Sequence, residues 1–140
     1  SDADRLTEGV AELLGTLIDS MPPEIKLLIF CQRSEIAQIV AQELRDAELG
    51  TGIAYIDGSI TPTKKTAELK RFLAPGTDLL VGTASMATGT DGIDKVCKLL
   101  IIVDDTPDRS LRYQLIGRIL PRGVVTPEDF VGRAAYRITY

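Results

Sequence analysis

The sequence predicts an α/β fold in which a parallel sheet is covered by helices on both faces. Three observations predict it. Apolar runs at Lys26 to Cys31, Ile53 to Ile56, Asp78 to Gly82 and Lys98 to Val103 lack the in-out alternation of a half-exposed strand. Helical patterns separate them, as parallel strands require. Finally, 140 residues of which 44% are hydrophobic supply one core, with no repeat or long linker to divide it.

Each element follows from its residues. Leu6, Val10, Leu13, Leu14 and Leu17 form one stripe of an amphipathic helix over residues 3 to 19, ending before Met21-Pro22-Pro23. This gives a packed N-terminal helix in residues 1–22 and a main domain in 23–140. After the first strand, Ser34 reads as a helix cap, and Ile36, Ile39, Val40 and Leu44 share a face. After the second, Thr61 and Pro62 are an N-cap and a first-turn proline, opening a helix that turns Ala67 and Phe72 inward. The third strand runs into a Gly/Ser/Thr-rich stretch that ends at Asp94. The fourth leads through Asp104-Asp105-Thr106-Pro107 into a helix from about Asp108 to Leu120, and a short run at Arg137 to Tyr140 reads as a final strand. Loops at the carboxyl ends of parallel strands converge on one edge, so Gln32-Arg33, Asp57 to Thr61, Thr83 to Asp94 and Asp104 to Asp108 are expected side by side.

Composition removes several chemistries. The chain has no histidine and two cysteines, so a Ser-His-Asp or Cys-His site, a His-ligated metal and a zinc cluster are excluded, and no metal site is expected. No apolar run reaches the roughly 20 residues that span a bilayer, and the first residues are polar and acidic, so the chain reads as intracellular, with no membrane partner. Net charge is −4, divided as −7 over residues 1–57, −1 over 58–108 and +4 over 109–140. The basic final quarter fits a local anion site or solvated surface charge.

Two stretches stand out chemically. TASMATGTDGID, from Thr83 to Asp94, joins small residues that let backbone amides approach an anion to hydroxyls that can donate to it. YQLIGRILPRG, from Tyr113 to Gly123, sets Arg118 and Arg122 about one helical turn apart, either as a pair of phosphate forks or as partners of acids such as Glu128 and Asp129. No GxxxxGK[ST] occurs, so the chain should not hydrolyse a nucleoside triphosphate by itself. Cys31 and Cys97 read as buried small hydrophobes without a disulfide, although a thiol enzyme using Cys31 stays open.

In their order and spacing, LLIFCQRSEIAQIVAQEL, YIDGSITPTKKTAELKRF, LLVGTASMATGTDGID and YQLIGRILPRG resemble motifs IV, IVa, V and VI of the superfamily 2 helicase and translocase motor. The resemblance covers about residues 25 to 123 and is to the C-terminal of the two RecA-like domains. Gln114 and the wording DGSITPTKK are closer to Swi/Snf-type translocases and phage or repair DNA helicases than to DEAD-box RNA helicases. The fold it implies is a RecA-like three-layer sandwich with a mainly parallel sheet of about five or six strands.

The same resemblance implies the roles. Arg118 matches an arginine finger for the terminal phosphate of ATP, Arg122 a second one, and Gln114 a residue coupling this site to the partner's catalytic loop. Gly92 and Asp94 match positions near the nucleotide, with Gly117 beside the finger. Thr83, Gln32, Arg33, Gly58, Ser59 and Lys64 match or neighbour positions that follow nucleic acid, with DNA the expected partner; Lys65 is a similar phosphate candidate. ATP would be bound jointly with an N-terminal RecA-like domain that also holds Mg2+. In the family pattern Gln-x-x-Gly-Arg-x-x-Arg the second arginine is here Pro121, with Arg122 one position later, so the helix should end or kink there. Alternatives are a non-catalytic RecA-like interaction module and the C-terminal domain of an RNA helicase.

Overall fold

The computed structural model describes residues 9–20, 25–47, 52–120 and 133–138. Strands β1 (Lys26–Cys31), β2 (Ile53–Ile56), β3 (Leu79–Gly82), β4 (Cys97–Asp104) and β5 (Ala134–Arg137) form one sheet in the order β2-β3-β1-β4-β5. Every pairing is parallel. Helices α1 (Val10–Asp19), α2 (Ser34–Asp46), α3 (Pro62–Leu73), α4 (Ile93–Val96) and α5 (Arg109–Gly117) connect or flank the strands, with a 3₁₀ turn at Ala84–Ala87.

The sheet divides two cores because alternate residues of each strand face opposite ways. Leu27, Ile29, Cys31, Leu79, Val81, Ile101 and Val103 pack under α1 and α2, where Val10, Leu14, Ile36, Val40 and Leu44 close the layer. Leu28, Phe30, Ala54, Ile56, Leu80, Leu100 and Ile102 face Phe72, Met86, Ile93, Leu115 and Ile119 from the other layer. This is the expected three-layer α/β sandwich. Strand β1 is central, and all six of its residues are buried, including Lys26. Among the described residues no helix is long and apolar enough to cross a membrane.

Most element bounds follow the sequence; five details differ. The last strand is Ala134–Arg137 rather than 137–140: Ala135 and Tyr136 are exposed on an edge strand, so apolar patterning does not mark it, and the partly buried Ile138 lies just past its end. Arg33, not Ser34, is the N-cap of α2: its backbone is extended, its carbonyl accepts the first helical bond from Ala37, and its N–H donates to the Asp104 carboxylate. Leu13 is exposed at the margin of the α1 stripe while Val10 and Leu14 are buried. On α3 Ala67 is exposed and Glu68 buried, since the Glu68 carboxylate accepts from the Tyr55 backbone N–H and from Arg71. Helix α5 ends at Gly117, and the next three residues bond i to i−3: Arg118 to Leu115, Ile119 to Ile116 and Leu120 to Gly117. That tightening fits the steric demand Pro121 makes on the residue before it. Pro121 and Arg122 lie outside the described residues, as do Leu6, Met21-Pro22-Pro23, Glu128 and Asp129.

Candidate functional site

The carboxyl ends of β1 to β4 open onto one groove of about 620 Å³. Gln32 and Ser34 reach it after β1, Gly58 and Ser59 after β2, Thr83 and Ala84 after β3, and Thr106, Asp108 and Leu111 after β4. Four of the six positions expected along nucleic acid, Gln32, Gly58, Ser59 and Thr83, therefore share one wall. The other two do not. Lys64 is exposed on α3 away from the groove, its backbone N–H donating to the Thr61 cap. Arg33 forks onto Asp104, with Nε 3.1 Å from Oδ2 and Nη2 3.0 Å from Oδ1, and clamps the ends of β1 and β4 together. Lys65 donates to the Thr88 carbonyl at 2.8 Å and ties α3 to the loop after β3.

Beneath the turn after β2 lies a network the sequence did not reveal. Asp57 Oδ1 accepts from the Ser59 hydroxyl at 2.6 Å and the Ser59 backbone N–H at 2.8 Å, and Oδ2 accepts from the Tyr55 phenol at 2.6 Å. Burial pushes the Asp57 carboxyl up, but the bonds from Ser59, Tyr55 and Gln38 outweigh it and hold the group below the ordinary carboxylate range. The turn is thus set by a buried anion. Gly58, at its apex, would have nothing within 4 Å of an added Cβ, so the open space above it belongs to the groove. The available signal was Asp-Gly-Ser after a strand, a common Asx turn.

A second, smaller cleft lies where the loop after β3 meets the end of α5. Thr90, Asp91, Gly92, Ile93 and Asp94 line one side, and Gly117, Arg118 and Leu120 the other. The structure thereby brings together Gly92, Asp94, Gly117 and Arg118. Gly92 has φ 98°, a left-handed conformation that favours glycine, and it starts α4. Arg118 Nε donates to the Ala87 carbonyl at 2.9 Å, Nη2 donates to the same oxygen, and Nη1 donates to Asp91 Oδ1 at 3.3 Å. Gln114 is exposed one turn earlier on α5 and lines neither cavity.

Gly82 fixes the relation between the two cavities. A Cβ there would stand 2.2 Å from the Ile56 carbonyl oxygen and 2.6 Å from Met86, so only glycine lets the chain turn from β3 into the 3₁₀ segment. The same loop then lines the groove with Thr83 and Ala84 and the cleft with Thr90 to Asp94. Cys31 is fully buried, and burial, with the nearby Asp104 carboxylate, pushes its thiol up to about 12, which denies a thiolate near neutral pH. Cys97 is pushed up to about 11 by burial. Among the described residues no three His, Cys, Asp or Glu side chains converge to hold a metal ion.

Two cavities therefore share one glycine-dependent loop on a parallel RecA-like sheet. Residues 9–123 match the helicase conserved C-terminal domain, and the chain belongs to that family. The fold is similar to the C-terminal part of the Fun30 ATPase domain, with a TM-score of 0.71 at 16% identity, covering 94% of this chain and 39% of that one. It is also similar to the E. coli DEAD-box protein SrmB, solved bound to regulator of ribonuclease activity A, with a TM-score of 0.70 at 23% identity over 93% of this chain and 69% of that one. Mss116p bound to single-stranded RNA and AMP-PNP gives a TM-score of 0.71 at 19% identity, over 96% of this chain and 25% of that one. The chain thus spans well under half of the Fun30 and Mss116p chains it matches. No curated protein matches it in sequence.

Proposed function

We propose that this superfamily 2 helicase C-terminal domain serves an ATP-dependent DNA helicase or translocase, following one strand along the groove and completing an ATP site with Arg118. The observation that carries the reading is the shared loop. Residues 83–94 border both cavities, so a single loop would touch a strand in the groove and a phosphate at the cleft. The preference for DNA rests on Gln114 and the DGSITPTKK wording, since TM-scores of 0.71 and 0.70 do not separate the Fun30 and DEAD-box folds.

The residues of the cleft offer the outer phosphate of a nucleotide one arginine edge and little more. Three of the five guanidinium N–H groups of Arg118 are engaged among the described residues, which leaves two for an anion. The cleft itself, about 20 Å³, has room for a water molecule, so the bulk of ATP and the Mg2+ would lie against the N-terminal RecA-like domain. ATP would supply the free energy that opens and closes the interdomain cleft. Arg118 would stabilise charge on the transferring phosphoryl group, Gly92 and Gly117 would leave room for close approach, and Gln114 would face the partner domain.

In the full-length protein Arg118→Ala is expected to retain ATP binding and lower kcat by roughly 10³-fold or more. Unchanged turnover would overturn the finger assignment. Stimulation of the ATPase by single-stranded DNA, duplex DNA or RNA then tests the nucleic acid. Stimulation by RNA alone would replace the DNA reading with that of an RNA helicase, and no stimulated turnover at all would favour a non-catalytic interaction module.

A further inference from the structure

We propose that Ser59 works as a hydrogen-bond acceptor in the groove, so that the turn after β2 holds a donor carried by the strand, a base N–H or a ribose hydroxyl, rather than a phosphate oxygen. The assignment rests on the reading of the groove as the path of a nucleic-acid strand. Its ground is the direction of one hydrogen bond. Ser59 Oγ and Asp57 Oδ1 are 2.6 Å apart, and an ionised carboxylate only accepts, so the proton between them belongs to the serine. A hydroxyl has one proton and two lone pairs, and with the proton spent inward the exposed Ser59 offers the groove lone pairs alone.

Asp57 does not release that proton cheaply. It is 2% exposed, and it also accepts from the Ser59 N–H, the Tyr55 phenol at 2.6 Å and Gln38 at 3.5 Å. Burial pushes its carboxyl up, but these bonds outweigh it, so the group is ionised near neutral pH. A phosphate that took the serine proton would cost the buried carboxylate one of its donors and press a second anion against the first. Thr106, in the same groove, is wired the other way. Its Oγ1 accepts from the Asp108 N–H at 3.1 Å, which keeps the threonine proton for a ligand. Asp108 lines the groove as well and, as a carboxylate, only accepts. The groove is therefore not a uniform row of donors: Thr106 suits a phosphate oxygen, and Ser59 suits the donor edge of a base or a sugar hydroxyl.

The test compares the full-length protein with its Ser59→Ala variant in fluorescence anisotropy titrations at one salt concentration, against single strands of equal length: DNA, RNA, 2′-O-methyl RNA and an abasic deoxyribose-phosphate strand. The expected result is an affinity lowered about threefold to tenfold, the worth of one hydrogen bond, on a strand that carries the donor, and no loss on the abasic strand. A loss on DNA identifies a base N–H; a loss on RNA that vanishes with 2′-O-methyl RNA identifies the ribose hydroxyl. An equal loss on the abasic strand would make Ser59 a phosphate donor and overturn the proposal, as would unchanged affinity for every strand. The turn itself holds in Ser59→Ala, because the backbone N–H of residue 59 still donates to Asp57 at 2.8 Å, and Ser59→Thr, which restores the hydroxyl, is expected to restore the affinity. A loss that persists in Ser59→Thr would also overturn it. If the unsubstituted protein binds none of the four strands, the groove reading fails and takes this assignment with it.

Discussion

At the scale of single residues, the structure concentrates its polar chemistry where strands end. Asp57 shows the logic: a carboxylate at the end of β2 is worth burying only because it accepts from Ser59 and Tyr55, and those bonds fix a turn that lines the groove. With its pKa depressed in the fold, the ionised group contributes stability above its unfolded pKa of about 3.9, and that contribution disappears as pH falls through the lower folded value. Asp57→Asn is therefore expected to cost about 1–3 kcal/mol at pH 7, because an amide cannot accept on both sides, and progressively less on acidification. Urea unfolding of both proteins at several pH values checks this, and a pH-independent difference would show that charge is not the cause. Gly82 and Arg118 were legible in the sequence as glycine-rich loop and paired-arginine chemistry. Asp57 and Asp91 were not, because a carboxylate in a loop reads as solvated charge until its donors are seen.

Individual elements show the same economy at the sheet's β2 edge. An edge strand leaves backbone groups unpaired, and α3 covers them with side chains. Glu68 accepts from the Tyr55 N–H at 3.1 Å, and Arg71 bonds Glu68 at 2.6 Å and reaches the Ile53 carbonyl. At the opposite end of the strands, Lys26 Nζ donates to the Ala74 and Thr77 carbonyls and sits 5.2 Å from the Phe72 ring centroid, closing the end of α3. Glu68→Ala is expected to lower stability by about 1–3 kcal/mol and to expose a pairing edge. Thermal melts would then show a lower Tm, and light scattering a concentration-dependent association that the unsubstituted chain lacks. Strands β1 and β2 were predicted to the residue because apolar runs without alternation signal buried parallel strands. On α3 the inward Phe72 was legible and Ala67 was misplaced by one residue, since Glu68 is polar by composition and is buried only through its bonds to Tyr55 and Arg71.

For the whole molecule, the charge balance takes a spatial form that the sequence total of −4 conceals. Four lysines and arginines near the carboxyl edge are spent on internal work: Arg33 on Asp104, Lys65 on Thr88, Arg112 and Arg137 on Asp105. The groove is lined, among the described residues, by hydroxyls, an amide, small residues, Leu111 and the Asp108 carboxylate, with no lysine or arginine. A nucleic-acid backbone bound there would be held by neutral donors, and few counterions would be released. Each phosphate neutralised by a cation contributes about −0.7 to −0.9 to the slope of log K against log salt. Binding of this chain to an oligonucleotide is therefore expected to be weak and to have a slope of about −1 or shallower, and Lys64→Ala should change that slope little because Lys64 stands away from the groove. Fluorescence anisotropy titrations across a salt series measure it. A slope steeper than about −3 would place the contact on the basic final quarter of the chain instead, and would move the nucleic-acid surface away from the carboxyl edge of the sheet.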